Sequence, residues 1–185
     1  MKRIFFRKGK KVFLRPVFKK DVPNFLVWFN DPEVTQWLSL TFPINEKEEE
    51  EWVENLQKRK PNDFVLMIET KDRKALGTIG LHKIFWQHRI AEIGIAIGEK
   101  KYWSKGYGTE ATMLLLDYAF NTLDLRKVGL SVLDNNGRAY KCYSKCGFKV
   151  IGRRKEQFYK NGKHLDEIIM EVFKKDWQLI FKRKP

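Results

Sequence analysis

Two glycines, Gly106 and Gly108, stand between an apolar run that ends at Ile97 and a helical pattern that follows, with Lys100, Lys101 and Lys105 beside them. Glycine lets a main chain approach an anion closely, and the unpaired N–H groups of a helix's first turn are donors for it. Such a bend suits phosphate binding. It has neither P-loop spacing nor the third glycine of a dinucleotide fingerprint, so a tight turn before a helix stays open as the alternative. Cys142 and Cys146, four residues apart, share a helix face. His82, His88 and His164 fall on other segments, so no metal site is expected and both cysteines read as core thiols.

The bend has to be held by a scaffold. Residues 11–17 alternate and predict a first strand. Asp21 opens a short aromatic helix through Phe25, Trp28 and Phe29 that should break at Asp31-Pro32. Asn45 and Glu48 form a capping-box pattern for a helix reaching about Lys60, with an acidic first turn suited to the helix dipole. Runs 64–69, 75–84 and 89–97 are rich in Ile, Val and Phe and closely spaced, which predicts an antiparallel meander. A helix over 106–123 carries Ala111, Leu114, Leu115, Tyr118 and Ala119 on one stripe. A strand over 128–133, a helix over 138–146 closed by Gly147, and a hairpin of 150–159 with 164–173 turning at Asn161-Gly162 complete the chain. Hairpins flanking a strand–helix–strand–helix unit predict one α+β domain over residues 1–185.

Trp103-Ser104-Lys105-Gly106-Tyr107-Gly108 fits, at all but its first position, a loop pattern of glutamine or arginine, two free positions, glycine, a free position, then glycine or alanine. After the intervening strand, Asn136, Ala139, Tyr143, Gly147 and Phe148 fit a second pattern. In these two motifs the sequence resembles the GNAT superfamily of acyl-CoA-dependent N-acetyltransferases, over about residues 75–173 and more loosely before. Trp103, where glutamine or arginine is usual, looks like the branch of ribosomal-protein-alanine acetyltransferases. Phe158, Tyr159, Gly162 and Asp166 resemble both that branch and the spermidine acetyltransferases.

The resemblance implies a mainly antiparallel mixed sheet flanked by helices, whose strands 4 and 5, counted from residues 11–17, splay apart. It implies acetyl-CoA as cosubstrate, its diphosphate held by the loop from Trp103 through Ser104, Lys105, Gly106, Tyr107 and Gly108 to Thr109. The pantetheine arm would pair with the backbone of Ile95, Ala96 and Ile97, flanked by Asn136 and the helix bearing Ala139. Asn136 equally suits a helix N-cap. Tyr143 matches the family's tyrosine that protonates the leaving thiolate; packing on its helix face is its other reading. An amine of pKa ~10.4 is about one part in a few thousand neutral at pH 7, so a base is useful. Glu92, entering the cleft, is the candidate, with a cross-strand ion pair as its alternative, and a backbone N–H over 93–95 would stabilise the oxyanion.

The chain has 185 residues and a formal charge of +14. Residues 1–20 hold nine basic residues and no acid, while 174–185 hold five and one, so the body is nearly neutral. A basic arm over 1–10 and a basic tail over 174–185 read either as solvated ends or as contacts to an acidic partner such as a ribosome. That distribution argues against direct nucleic-acid readout. No apolar run suits a membrane span, the start does not read as a secretory signal, and the cysteine usage makes a reducing cytoplasm the expected compartment. The expected acceptor is an amine, on a protein N-terminus in preference to a polyamine or other small amine. A non-catalytic CoA- or RNA-binding module is the rival, and the oligomeric state stays open between monomer and homodimer.

Overall fold

The computed structural model describes residues 4–40, 42–58 and 62–181. Its centre is an eight-stranded sheet: β1 (Arg7–Lys8), β2 (Val12–Pro16), β3 (Phe64–Thr70), β4 (Ala75–Phe85), β5 (Ile90–Ile97), β6 (Lys127–Leu133), β7 (Lys149–Lys160) and β8 (Lys163–Phe173). The strands lie in the order β1-β2-β3-β4-β5-β6-β8-β7. Every neighbouring pair is antiparallel except β5 and β6, which a helical crossover makes parallel. That pair is short. It runs only from Ile90 opposite Lys127 to Glu92 opposite Gly129, after which β5 stays with β4 and β6 with β8. The expected splay is therefore present, between β5 and β6 because the unexpected two-residue β1 shifts the numbering by one.

Strand alternation sends side chains to two separate cores. Val12, Leu14, Ile79, Leu81 and Ile93 point to the face covered by α4 (Tyr107–Asp117), where Ala111, Leu115 and Ala119 are fully buried. The stripe read from the sequence is thus the packing face, and the helix continues beyond Asp117 as a wider π-type turn over Tyr118–Thr122. On the other face, Val17 and Met67 meet Phe25 and Trp28 of α1 (Val22–Phe29) and Val53 of α3 (Glu46–Gln57). Asn45 caps α3 with Glu48 completing the box. The helix ends at Gln57, and its expected end at Lys60 lies outside the described residues.

Asp31-Pro32 does break α1, but the proline also starts a helix. Pro32 stands at the first turn of α2 (Pro32–Thr35), where its missing N–H is no loss, and Asp31 accepts from Glu33 N–H as the cap. Arg15 lies in the second core with its guanidinium on Asp21 (2.8 Å) and its Nε on Glu69 (2.6 Å), all three side chains buried.

The basic ends fold onto the body. Arg7 donates to Thr122 Oγ1 and stacks on Phe6 and Tyr118, while the β1–β2 turn offers the N–H groups of Lys10 and Lys11 to the Glu110 carboxylate on α4. Residues 174–181 form α6 (Lys174–Phe181), whose Trp177 is buried against Phe120. The described parts of both segments thus pack on the body while Lys8, Lys10 and Lys175 stay exposed; residues 1–3 and 182–185 lie outside the described residues. No described helix is long and apolar enough to cross a membrane.

Candidate active site

Because β6 leaves after Glu92, the remainder of β5 has one paired edge and one open edge. Gly98 N–H donates to Leu76 O (2.9 Å), which fixes the alternation. Residues 94, 96 and 98 turn their main-chain groups toward β4, and residues 95 and 97 turn theirs to the opening. The expected edge is therefore corrected at Ala96, whose amide and carbonyl belong to the ladder opposite Thr78. Ile97 keeps only its N–H for a ligand, since its carbonyl accepts from Trp103 Nε1 (2.7 Å). Ile95 presents both groups.

The bend beyond β5 passes through a 3-10 turn at Lys100–Tyr102 and reaches Gly106, whose φ of 84° is the left-handed conformation that ends the bend and caps α4. Tyr107, Gly108 and Thr109 then form the first turn of this eleven-residue helix, and Glu110 N–H is the first to bond back, to Gly106 O. A Cβ at Gly108 would meet Ile95 Cδ1 at 3.6 Å and Cys142 Sγ at 3.8 Å. The bare glycine leaves space for a ligand between helix and open edge. Lys100 is not available there, because it pairs with Asp31 (2.7 Å) and Glu33 (2.8 Å). Lys11 supplies a cation instead: its Nζ donates to Lys105 O (2.9 Å) and sits beside Gly106. Sequence reading passed over Lys11 because its partners lie some ninety residues away. These groups fit a phosphorylated pantetheine carrier.

Across the opening, Asn136 caps α5 (Gly137–Lys145) by accepting from Ala139 N–H (3.1 Å), so its capping role is realised while the residue lines the cleft. Tyr143 is buried in the cleft wall with its ring against Phe148. Burial, with the two cysteines nearby, raises its phenol well above the usual range, so the hydroxyl keeps a proton to give. Cys146 is a core thiol as expected, donating to Thr109 O. Cys142 is not: it lines the cleft and accepts from Thr109 Oγ1 (3.3 Å). The hydrogen bond from Cys146 lowers its thiol to about 7. Arg138 places its guanidinium 3.6 Å over the Trp103 ring and also faces Trp37, joining both ends of the cleft, and its burial lowers its pKa.

The cleft, about 860 Å³, continues through the β5–β6 gap to the opposite face of the sheet. There Trp37 beyond α2, Trp52 of α3, Asp63, His82 and Glu92 surround a floor made by the paired Gly80 and Gly94. Glu92 is half exposed and bonded to Lys83 (2.9 Å), the cross-strand pairing that was its alternative reading. His82 Nδ1 meets Asp63 Oδ1 at 2.6 Å. Periodicity made His82 an ordinary strand residue, because its partner precedes another strand. Among the described residues no cluster of His, Cys, Asp and Glu could hold a metal ion.

An open strand edge beside a helix N-terminus, with a cleft passing through a gap in one sheet, suits acyl transfer from a carrier to an acceptor. A family model described as "Acetyltransferase (GNAT) domain" matches residues 11–149, and the chain belongs to that family. It is an acetyl-CoA-dependent N-acetyltransferase. It is 37% identical to the spermidine N(1)-acetyltransferase of Escherichia coli over 58% of this chain and 56% of that one. It is 32% identical to a putative ribosomal N-acetyltransferase of Bacillus subtilis over 58% of each chain. The crystal structure of spermidine N-acetyltransferase from Vibrio cholerae with CoA and spermine superposes with a TM-score of 0.84 at 24% identity, over 91% of this chain and 99% of that one, a likeness of fold.

Proposed function

We propose that this enzyme acetylates a small polyamine. The observation that carries the reading is the acceptor half of the cleft, lined by the Asp63 and Glu92 carboxylates together with the Trp37 and Trp52 side chains. An alkylammonium chain is held by carboxylates and by aromatic faces. The spermidine acetyltransferase relatives support the same acceptor. On the strength of these relatives the polyamine is put ahead of the protein N-terminus that the basic ends suggested.

Acetyl-CoA supplies the activated acetyl group. Its diphosphate would lie at the N–H groups of Tyr107, Gly108 and Thr109 between Lys11 and Lys105, with Trp103 and Ser104 shaping the turn. Its pantetheine amides would bond to Ile95 and to the Ile97 N–H, passing Ala96, Asn136 and Ala139. Tyr143, on the carrier side of the gap, would return a proton to the leaving sulfur. Glu92 would attract the distal ammonium groups of the acceptor.

An acceptor panel followed by thiol release tests this. Spermidine and spermine should exceed alanine-terminated peptides in kcat/KM by about ten-fold or more, a difference of ~1.4 kcal/mol. Preference for the peptides would establish the protein N-terminus, the acceptor class nearer to the ribosomal N-acetyltransferase name of the Bacillus subtilis relative.

A further inference from the structure

Resting on the acetyl-transfer reading, we propose that His82, oriented by Asp63, is the base that takes the proton from the attacking amine. The Asp63 carboxylate lies 2.6 Å from His82 Nδ1 and fixes that nitrogen as the N–H donor. Nε2 is then the nitrogen left with the lone pair. It lies over the glycine floor: a Cβ on Gly94 would come within 3.2 Å of Nε2, and one on Gly80 within 3.0 Å. Gly94 adjoins Ile95, the residue whose main chain faces the opening. A basic imidazole nitrogen in the cleft wall is thus held where an acceptor nitrogen would pass to reach a thioester beside β5. Any side chain at Gly94 would displace it.

The two proton carriers stand on opposite faces of the sheet. Gly80, His82 and Gly94 belong to the face toward α1 and α3, and Tyr143 to the face with α4 and α5. An ammonium acceptor first loses one proton to His82 Nε2, which passes it to solvent. The free amine attacks the carbonyl carbon, forming C–N; its second proton goes to Nε2 as the C–S bond breaks. The sulfur takes the Tyr143 proton, and solvent restores both groups. One amide, one thiol and one released proton balance the reaction. Glu92 is a weaker base candidate, because its carboxylate is engaged by Lys83.

The experiment is the pH dependence of kcat/KM with the best amine of the panel, for wild type, His82→Gln, Asp63→Asn and Glu92→Gln. Asp63 bonds the imidazole, and the other charged groups lining the cleft are Lys83, Glu92, Arg138, Lys141 and Lys145. His82→Gln should lose about 100-fold or more in kcat and lose the acidic limb of the profile, with acetyl-CoA affinity unchanged. Asp63→Asn should lose about ten-fold and displace that limb, and Glu92→Gln should mainly raise KM. An acceptor amine of much lower pKa should recover most of the His82→Gln loss, which a merely structural histidine would not allow. A His82→Gln enzyme with wild-type kcat and profile overturns the dyad while leaving acetyl transfer standing. A wild type that acetylates no amine overturns the reading beneath it.

Discussion

Lys11 gives the sharpest view of how the fold builds the carrier site. Replacing it by methionine keeps the aliphatic stem and removes the ammonium that bonds Lys105 O at 2.9 Å beside Gly106. Its main-chain N–H still donates to Glu110, so the β1–β2 turn should stay docked. One positive charge beside a helix N-terminus and a diphosphate is worth ~1 kcal/mol at a solvated site, which is about five-fold in Kd. Titration calorimetry with acetyl-CoA at 0.05 and 0.3 M salt reads this directly. Lys11→Met should weaken binding about five-fold at low salt, and the gap should narrow as salt rises because the Debye length shrinks. Equal affinities at both salt concentrations would remove Lys11 from the site and the diphosphate from the bend.

Further expectations concern single groups. Tyr143→Phe should lower kcat about ten-fold or more while acetyl-CoA binds as before, read by stopped assay and calorimetry together. Arg15→Ala leaves the Asp21 and Glu69 carboxylates buried without their guanidinium, so urea unfolding should show a loss of about 3 kcal/mol or more. Cys142 should alkylate with a rate that rises through pH of about 7, since the thiolate is the nucleophile and hydrogen bonds favour it. Acetyl-CoA should protect it, and Cys146 should stay unmodified, its thiol raised by its hydrogen bond to Cys142 and by burial. Mass spectrometry of the labelled peptides separates the two.

The parts legible in the sequence are those fixed by local spacing. The α4 stripe, the Asn45 capping box, the strand meander and the Asn161-Gly162 turn all depend on residues within about one helical turn of each other or on β alternation. The loop at Gly106 and the Tyr143 helix were readable for the same reason. What stayed hidden depends on pairs brought together by the sheet. Lys11 meets Lys105, Asp63 meets His82 and Arg138 meets Trp103 across long stretches of chain. Charge counting sees that residues 1–20 are basic and not that Arg7 lies on Tyr118. The Ala96 error has a simpler source. Three consecutive residues cannot all face one edge of a strand, and only the register says which two do.

Amide hydrogen exchange, resolved by residue and measured with and without acetyl-CoA, tests the central claim most directly. Ile95, Ile97, Gly108 and Thr109 should gain protection on binding, while Ala96, already bonded into the β4 ladder, should be slow in both states. Protection that leaves Ile95 and Ile97 unchanged, or that appears at Ala96 in their place, would contradict a carrier bound along the open edge of β5.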